Sequence, residues 1–358
     1  MSYVLAFVGF SALIILHELG HFAAAKWTGM RVERFSLFFP PHVWKRTRGE
    51  TEYAIGTIPL GGYVRISGMS PHEDLPEEVE HRAYLKMPVW KRIVVISAGP
   101  VMNILVALVI FVALFLAVGT SEGTSRIKSV EPGSASAGVL RPGDELVAVD
   151  GVRGDPAKLR EQIAAHRCPG TQVDRCAATR PATVLVRRNG ELVTLRATPR
   201  YDADAKRARL GFSFDVNERS YGPLQAVDAS VSQMWRVTHL TADAITRIFY
   251  DPQARKEVSG VVGSYEVTRQ SIKFDWAQAL NVLAIISLSL AIVNLFPFLP
   301  LDGGHIFWAL AEKLRGRAIP FSVMERASVV GFVLVMFLFA IGLTNDIDRL
   351  RGDGFGTP

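Results

Sequence analysis

The sequence predicts a polytopic α-helical membrane protein. It should have about four transmembrane helices, a β-rich loop on the cytoplasmic side and a folded α/β module on the opposite side. Three observations carry that expectation. Four stretches, near Tyr3–Ala25, Ile93–Thr120, Ala277–Leu301 and Ala327–Thr344, are long and apolar enough to cross a bilayer, which takes about 20 apolar residues each. The second holds no charge between Arg92 and Glu122, and the third none between Asp275 and Asp302. Basic residues flank the connection Trp27–Arg92 at both ends, with Lys26, Arg31 and Arg34 at one and Lys86, Lys91 and Arg92 at the other. The N-terminus has none, so the positive-inside tendency puts this connection in the cytoplasm and the N-terminus, the middle region and the C-terminal tail outside. Finally, Ser125–Arg200 alternates short β-like runs with hairpin dipeptides, as a small α/β fold does.

The first stretch is read as a retained helix. It has no basic n-region and no small-residue cleavage site, and its apolar run is too long for a signal peptide. Inside it stands His17-Glu18-Leu19-Gly20-His21. Residues four apart share one helix face, so His17 and His21 can hold the same metal ion. Glu18 sits beside that face and can take a proton from water that the ion activates, which is the logic of the His-Glu-x-x-His pattern of zinc metalloproteases. Two histidines on a soluble helix are often ordinary residues. In an apolar membrane span each of these three side chains is costly, and such groups mark function.

After this helix, Trp27–Arg92 reads as irregular and strand-rich. Thr51–Ile58 has β character and ends at Pro59, and Leu60–Ile66 is a second extended piece headed by Gly61 and Gly62. That piece is either an edge strand able to pair with an extended substrate or one arm of an ordinary hairpin. Residues 71–81 form an acidic surface loop, and Val89-Trp90-Lys91-Arg92 an interfacial anchor. The second span opens with Gly99, Pro100 and Asn103, which suit close helix packing. Asn103 can bond a neighbouring helix or a site carboxylate.

In the middle region, strands are expected at Arg126–Val130, Glu145–Val149, Thr183–Arg187 and Glu191–Ala197, and a helix at Pro156–His166. Asp150-Gly151 and Asn189-Gly190 are hairpin turns. With the Arg141-Pro142-Gly143-Asp144 turn, these features resemble a PDZ domain of the bacterial protease type, which binds extended peptide by strand addition. Cys168 and Cys176 fall in a stretch that looks inserted, and admit either a disulfide or two free thiols. Farther on, Gly222–Tyr250 spaces Val227, Val231, Met234 and Val237 helically, as a helix on the membrane surface or a bridging helix would. The domain division expected is 1–120, 121–200, 201–276 and 277–358.

The third span runs into Asn294-Leu-Phe-Pro297-Phe-Leu-Pro300-Leu-Asp302-Gly303-Gly304, whose prolines and glycines should break the helix. Asp302 either caps the span or supplies a third metal ligand, which carboxylate does well; His305 is nearby but fills that place no better. The last span carries no chemically active side chain and reads as packing. The net charge of +6 is spread over loops without an aromatic-interleaved patch, so it does not point to nucleic acid.

Taken together, His17–His21, Asn294–Gly303, Gly61–Arg65, Gly99–Asn103 and the PDZ-like module resemble the site-2 protease family of intramembrane zinc metalloproteases over nearly the whole chain. The resemblance implies Zn2+ held by His17, His21 and Asp302, with Glu18 as general base. It also implies that Asn294 binds substrate or stabilises the reacting carbonyl. The strand containing Gly62, Tyr63 and Val64 would clamp an unwound substrate helix, and the PDZ-like module would screen substrates or grip their trimmed ends. Implied partners are membrane lipid and single-span proteins such as anti-sigma factors or signal-peptide remnants, in a bacterial inner membrane. Two departures stand out: relatives with two tandem PDZ modules exist and one is visible here, and the cysteine-containing stretch is outside the pattern. The competing classes are a PDZ-containing scaffold, which needs no Glu18, and a metal transporter, which would show internal repeats.

Overall fold

Proline and glycine placement sets where the helices stop, and charge sets which of them can cross a membrane. The structure, a computed structural model, describes residues 1–70, 73–203, 205 and 207–351. It divides into two units, one of residues 1–118 and 221–358 and the other of residues 119–220. Of the acidic loop, Pro71 and His72 lie outside the described residues, as does the tail after Arg351.

In the first unit the chain begins with helix α1 (Ser2–Trp27) and continues through strands β1 (Val32–Arg48) and β2 (Thr51–Ile66) and a single turn, α2 (Glu77–Glu80), to helix α3 (Val89–Ala117). Strand β1 is the centre of a folded-over hairpin. Its first half pairs on one side with residues 62–66 (Phe35 opposite Val64, Leu37 opposite Gly62) and on the other with residues 52–55, while its second half pairs with residues 51–56. Among the described residues, Gly62–Ile66 is therefore an edge that pairs with β1 alone, and no strand lies on its other side. Glu50, in the turn between the strands, pins the hairpin to the end of α1. It accepts from Lys26 at 2.8 Å and from both terminal nitrogens of Arg82 at 2.7 and 2.8 Å. Mainly the Arg82 guanidinium holds its carboxyl down at about 2.

The second unit contains β3 (Thr120–Val130), β4 (Glu145–Val149), β5 (Val152–Arg153), α4 (Pro156–Ala164), β6 (Ala182–Arg188), β7 (Glu191–Ala197), β8 (Arg200–Asp202), β9 (Arg207–Arg209) and β10 (Phe212–Arg219). The main sheet is antiparallel in the order β10-β3-β4-β6-β7. Asp150-Gly151 and Asn189-Gly190 each take two successive positive φ angles, as two-residue hairpins require. Leu159 and Ile163 of α4 pack on Ile127, Leu146, Val184 and Val186, which alternate inward along the strands. Cys168 and Cys176 are joined in a disulfide in the stretch between α4 and β6. The unit runs 20 residues past the expected end at Arg200, to Ser220, because β10 returns to pair with β3. That pairing is non-local and leaves no mark in the local pattern.

Asp144, almost fully buried at the Arg-Pro-Gly-Asp turn, accepts two bonds from Arg188 (2.8 and 2.7 Å) and one from the Arg141 N–H. Chiefly the Arg188 bond holds its carboxyl below the usual range. The stability it lends is thus fully present above a pH of about 4 and is lost as pH falls through the lower folded value. Arg188→Met should destabilise this unit by about 3 kcal/mol, because it strands a buried charge. Thermal unfolding of the full chain in detergent should show the deficit at pH 7 and its shrinkage below pH 4. An unchanged midpoint at pH 7 would count against it.

The chain re-enters the first unit with α5 (Pro223–Arg247), α6 (Pro252–Glu257), α7 (Val261–Phe274), α8 (Trp276–Asn294), α9 (Asp302–Arg315) and α10 (Phe321–Arg351). The helices long and apolar enough to cross a membrane are α1, α3, α8 and most of α10, so the protein is a multi-pass membrane protein with β-rich regions. Residues 222–250 read from the sequence as a surface or a bridging helix; the structure adds a contact with the spans that neither reading specifies. Val237 and Met234 of α5 join Ala107, Phe111, Ala284 and Leu288 of α3 and α8, while Val227 and Val231 remain exposed. Helix α10 extends past the expected Thr344, and its buried Asp346 accepts from the N–H groups of Gly260 and Gly263 at the start of α7.

The third span stops at Asn294, short of the expected Leu301. A tight turn carrying Pro297 and Pro300 follows, and α9 starts at Asp302. Gly303 and Gly304 make this return possible. A Cβ on Gly303 would sit 2.2 Å from Leu295 O, and one on Gly304 2.5 Å from Leu299 N. The break brings Asp302 back against α1.

Candidate metal centre

Helical spacing stacks His17 and His21 on one face of α1, with ring centroids 4.8 Å apart and the planes nearly perpendicular. Their Nε2 atoms are 3.2 Å apart. Asp302 Oδ2 completes a triangle, 3.3 Å from His17 Nε2 and 3.4 Å from His21 Nε2. This oxygen is buried and makes no hydrogen bond, though it faces two ring nitrogens. Three lone-pair donors in such close approach repel one another unless a proton or a metal cation lies among them. A tetrahedral zinc ion with bonds of about 2.0–2.1 Å separates its ligands by about 3.3–3.4 Å, so the triangle has the size the ion needs. Two imidazoles and a carboxylate also form a donor set proper to hydrolytic zinc. Among the described residues, this is the cluster of three or more such side chains able to hold a metal.

Helix α3 supplies the wall behind the two rings. Gly20 of α1 meets α3 so closely that a Cβ would lie 2.3 Å from Ala98 O. A Cβ on Gly99 would lie 2.2 Å from His21 Nε2 and 2.8 Å from His17 Cε1. His21 Nδ1 donates to Val95 O at 2.9 Å, which leaves the Nε2 lone pair facing the triangle. Asn103, fully buried, meets His17 Nδ1 at 3.2 Å. Of the two partners read from the sequence for Asn103, the neighbouring helix is the one found, through a site histidine of α1, and not a carboxylate.

Glu18 faces the open strand edge. Its Cγ lies 3.3 Å from where a Gly62 Cβ would be. A side chain at position 62 would crowd the carboxylate. A cavity of about 440 Å³ opens in front of the triangle, walled by Gly62, Tyr63 and Val64 on one side and Asn294 and His305 on the other. Every residue singled out from the sequence for metal, proton transfer or substrate thus lies on this one cavity, and His305 lines it without joining the triangle. What the sequence reading missed is the α3 wall, Val95 and Gly99 in their contacts with the imidazoles. The four-residue interval of Val95, Gly99 and Asn103, equal to that of His17 and His21, was the available signal.

The arrangement can hold a hydrolytic metal, place a carboxylate beside it, and present backbone hydrogen-bonding groups to an extended chain. Comparison with known proteins agrees. Residues 5–338 match the profile of peptidase family M50. The chain is 30% identical to a candidate zinc metalloprotease of Rhizobium meliloti, with 95% of this chain and 94% of the relative covered. It is 29% identical to one of Brucella suis, covering 94% and 92%. To one of Campylobacter jejuni it is 26% identical, covering 96% and 92%.

Proposed function

From the premise that this chain belongs to peptidase family M50 and is a zinc metalloprotease, we propose that it cuts peptide bonds within the transmembrane segments of single-span membrane proteins. One observation carries the reading: the His17–His21–Asp302 triangle lies in a cavity shared by Glu18 and by an open strand edge, and two of its members stand in a membrane-spanning helix. In this reading His17, His21 and Asp302 hold the ion. Zinc, when bound, supplies the Lewis acidity that activates water near neutral pH and polarises a carbonyl. Glu18 takes the proton from the attacking water and delivers it to the leaving amine. Asn294, across the cavity, donates from its amide to the reacting carbonyl.

A helix cannot be cut until it unwinds, because its carbonyls are engaged along the helix and covered by side chains. In a bilayer, unwinding leaves backbone groups unpaired at several kcal/mol each. The edge at Gly62, Tyr63 and Val64 offers replacement partners to an extended segment, and the absence of a side chain at Gly62 lets that segment approach Glu18. Unit 119–220 is read as an extracytoplasmic PDZ-like domain that screens substrates by bulk or grips trimmed ends, with the site toward the cytoplasmic face of a bacterial inner membrane. Within the family, the chain is read as similar to the bacterial regulator of sigma-E protease. Anti-sigma factors and signal-peptide remnants are therefore the substrate classes inferred, with surrounding lipid as the other partner.

Purified protein in detergent, given a single-span substrate, tests this. The expected product is cut inside the hydrophobic segment, is lost on removing metal with a chelator and returns with added zinc. Cleavage confined to soluble tails, or cleavage indifferent to the chelator, would sink the reading.

A further inference from the structure

Val95, Gly99 and Asn103 recur every four positions along α3 and meet the two imidazoles of α1 in order. Val95 O takes the bond from His21 Nδ1, Gly99 leaves room for both rings, and the Asn103 amide reaches His17 Nδ1. We propose that Asn103 is a positioning residue for the zinc site, its amide oxygen holding His17 as the Nδ1–H tautomer so that the Nε2 lone pair faces Asp302 and the ion. The inference rests on the zinc reading above and adds to it a residue outside the ligand set.

Asn103 is fully buried, and its side chain makes one hydrogen bond among the described residues, to His17. Its Oδ1 is buried and makes none. Burying an amide in apolar surroundings without partners costs about 1–3 kcal/mol, so the position calls for a reason. The bond does join α3 to α1, but its partner on α1 is a residue of the triangle and not a packing side chain. With Nδ2 facing His17, the ring must offer its lone pair at Nδ1 and carry its proton on Nε2. That proton would point into the triangle and exclude an ion. A half-turn of the amide exchanges its two ends within the same volume, and the oxygen then accepts from Nδ1–H. Either orientation leaves one end of the amide unpaired, so the choice belongs to the ion, which coordinates imidazole only through a bare nitrogen. His21 has no such freedom, because Val95 O can only accept. The backbone oxygen of Asn103 is anchored in turn by Ser287 Oγ of α8 at 2.9 Å, which keeps the amide from withdrawing.

The test is zinc affinity of the purified full chain, measured by competition with a chromophoric chelator. The variants are Asn103→Leu, Asn103→Ala and Asn103→Asp, with His17→Ala as the reference for a lost ligand. Removing the outer partner of a ligating imidazole weakens metal binding about 10–100-fold, so the Leu and Ala variants should show that loss. Asp accepts and cannot donate, and should bind zinc within about threefold of wild type or tighter. A packing role predicts the reverse order, since a carboxylate at this depth is the worse replacement. Wild-type affinity in the Leu and Ala variants, or an Asp variant as weak as they are, would overturn the proposal. If wild type binds zinc no better than His17→Ala, the zinc reading itself fails, and the two failures are distinct.

Discussion

Glu18→Gln should lower turnover of a single-span substrate by about 10²–10⁴-fold while leaving zinc content unchanged. The substitution keeps the size of the side chain and removes its basicity, and it touches none of the three atoms of the ligand triangle. What is lost is a group able to take a proton from water and return it to the leaving nitrogen. Metal analysis and cleavage measured on the same preparation separate the two effects. A Gln variant that cuts at more than about a tenth of the wild-type rate would remove Glu18 from the base role and turn attention to another group lining the cavity.

Gly99→Ala should cost more than about 100-fold in zinc affinity, above the range seen when only an outer partner of a ligand is removed. The new methyl would overlap His21 Nε2, a ligand atom, at 2.2 Å. Neither obvious escape is open. The His21 ring is tied at its other nitrogen to Val95 O, one turn earlier on the same helix as the methyl. Withdrawal of the whole helix would pull apart the contact in which Gly20 lies against Ala98 O. Val101→Ala, on the exposed side of the same helix, is the control and should bind zinc as wild type does. Chelator competition on the three proteins decides it. Equal zinc affinity in wild type and the Gly99 variant would mean that α3 can move away from the rings and that the wall behind them is not rigid.

The legible part of this protein was the part whose signals are local. Four spans, the break after Asn294, both two-residue hairpins and the α4 helix follow from runs of apolar residues, from proline and from dipeptides that tolerate positive φ, each acting over a few residues. The His-Glu-x-x-His stretch belongs to the same class, because one helical turn is enough to bring its two imidazoles together. For Asp302, chemistry and an uncharged span suggested a ligand, and the geometry adds a triangle of matched size.

Tertiary structure alone decided everything that depends on two distant segments meeting. It settled that the second unit closes with β10 on β3, that the face of α5 carrying Met234 and Val237 packs on the spans, and that Gly62–Ile66, among the described residues, is an edge paired on one side only. Above all it showed why Gly99 has no side chain and what Asn103 touches. In the sequence both looked like packing features of an apolar helix. The physical reason is range: backbone conformation and hydropathy are properties of neighbours along the chain. A steric exclusion at 2.2 Å, or a hydrogen bond across 86 positions, exists only once the helices have packed.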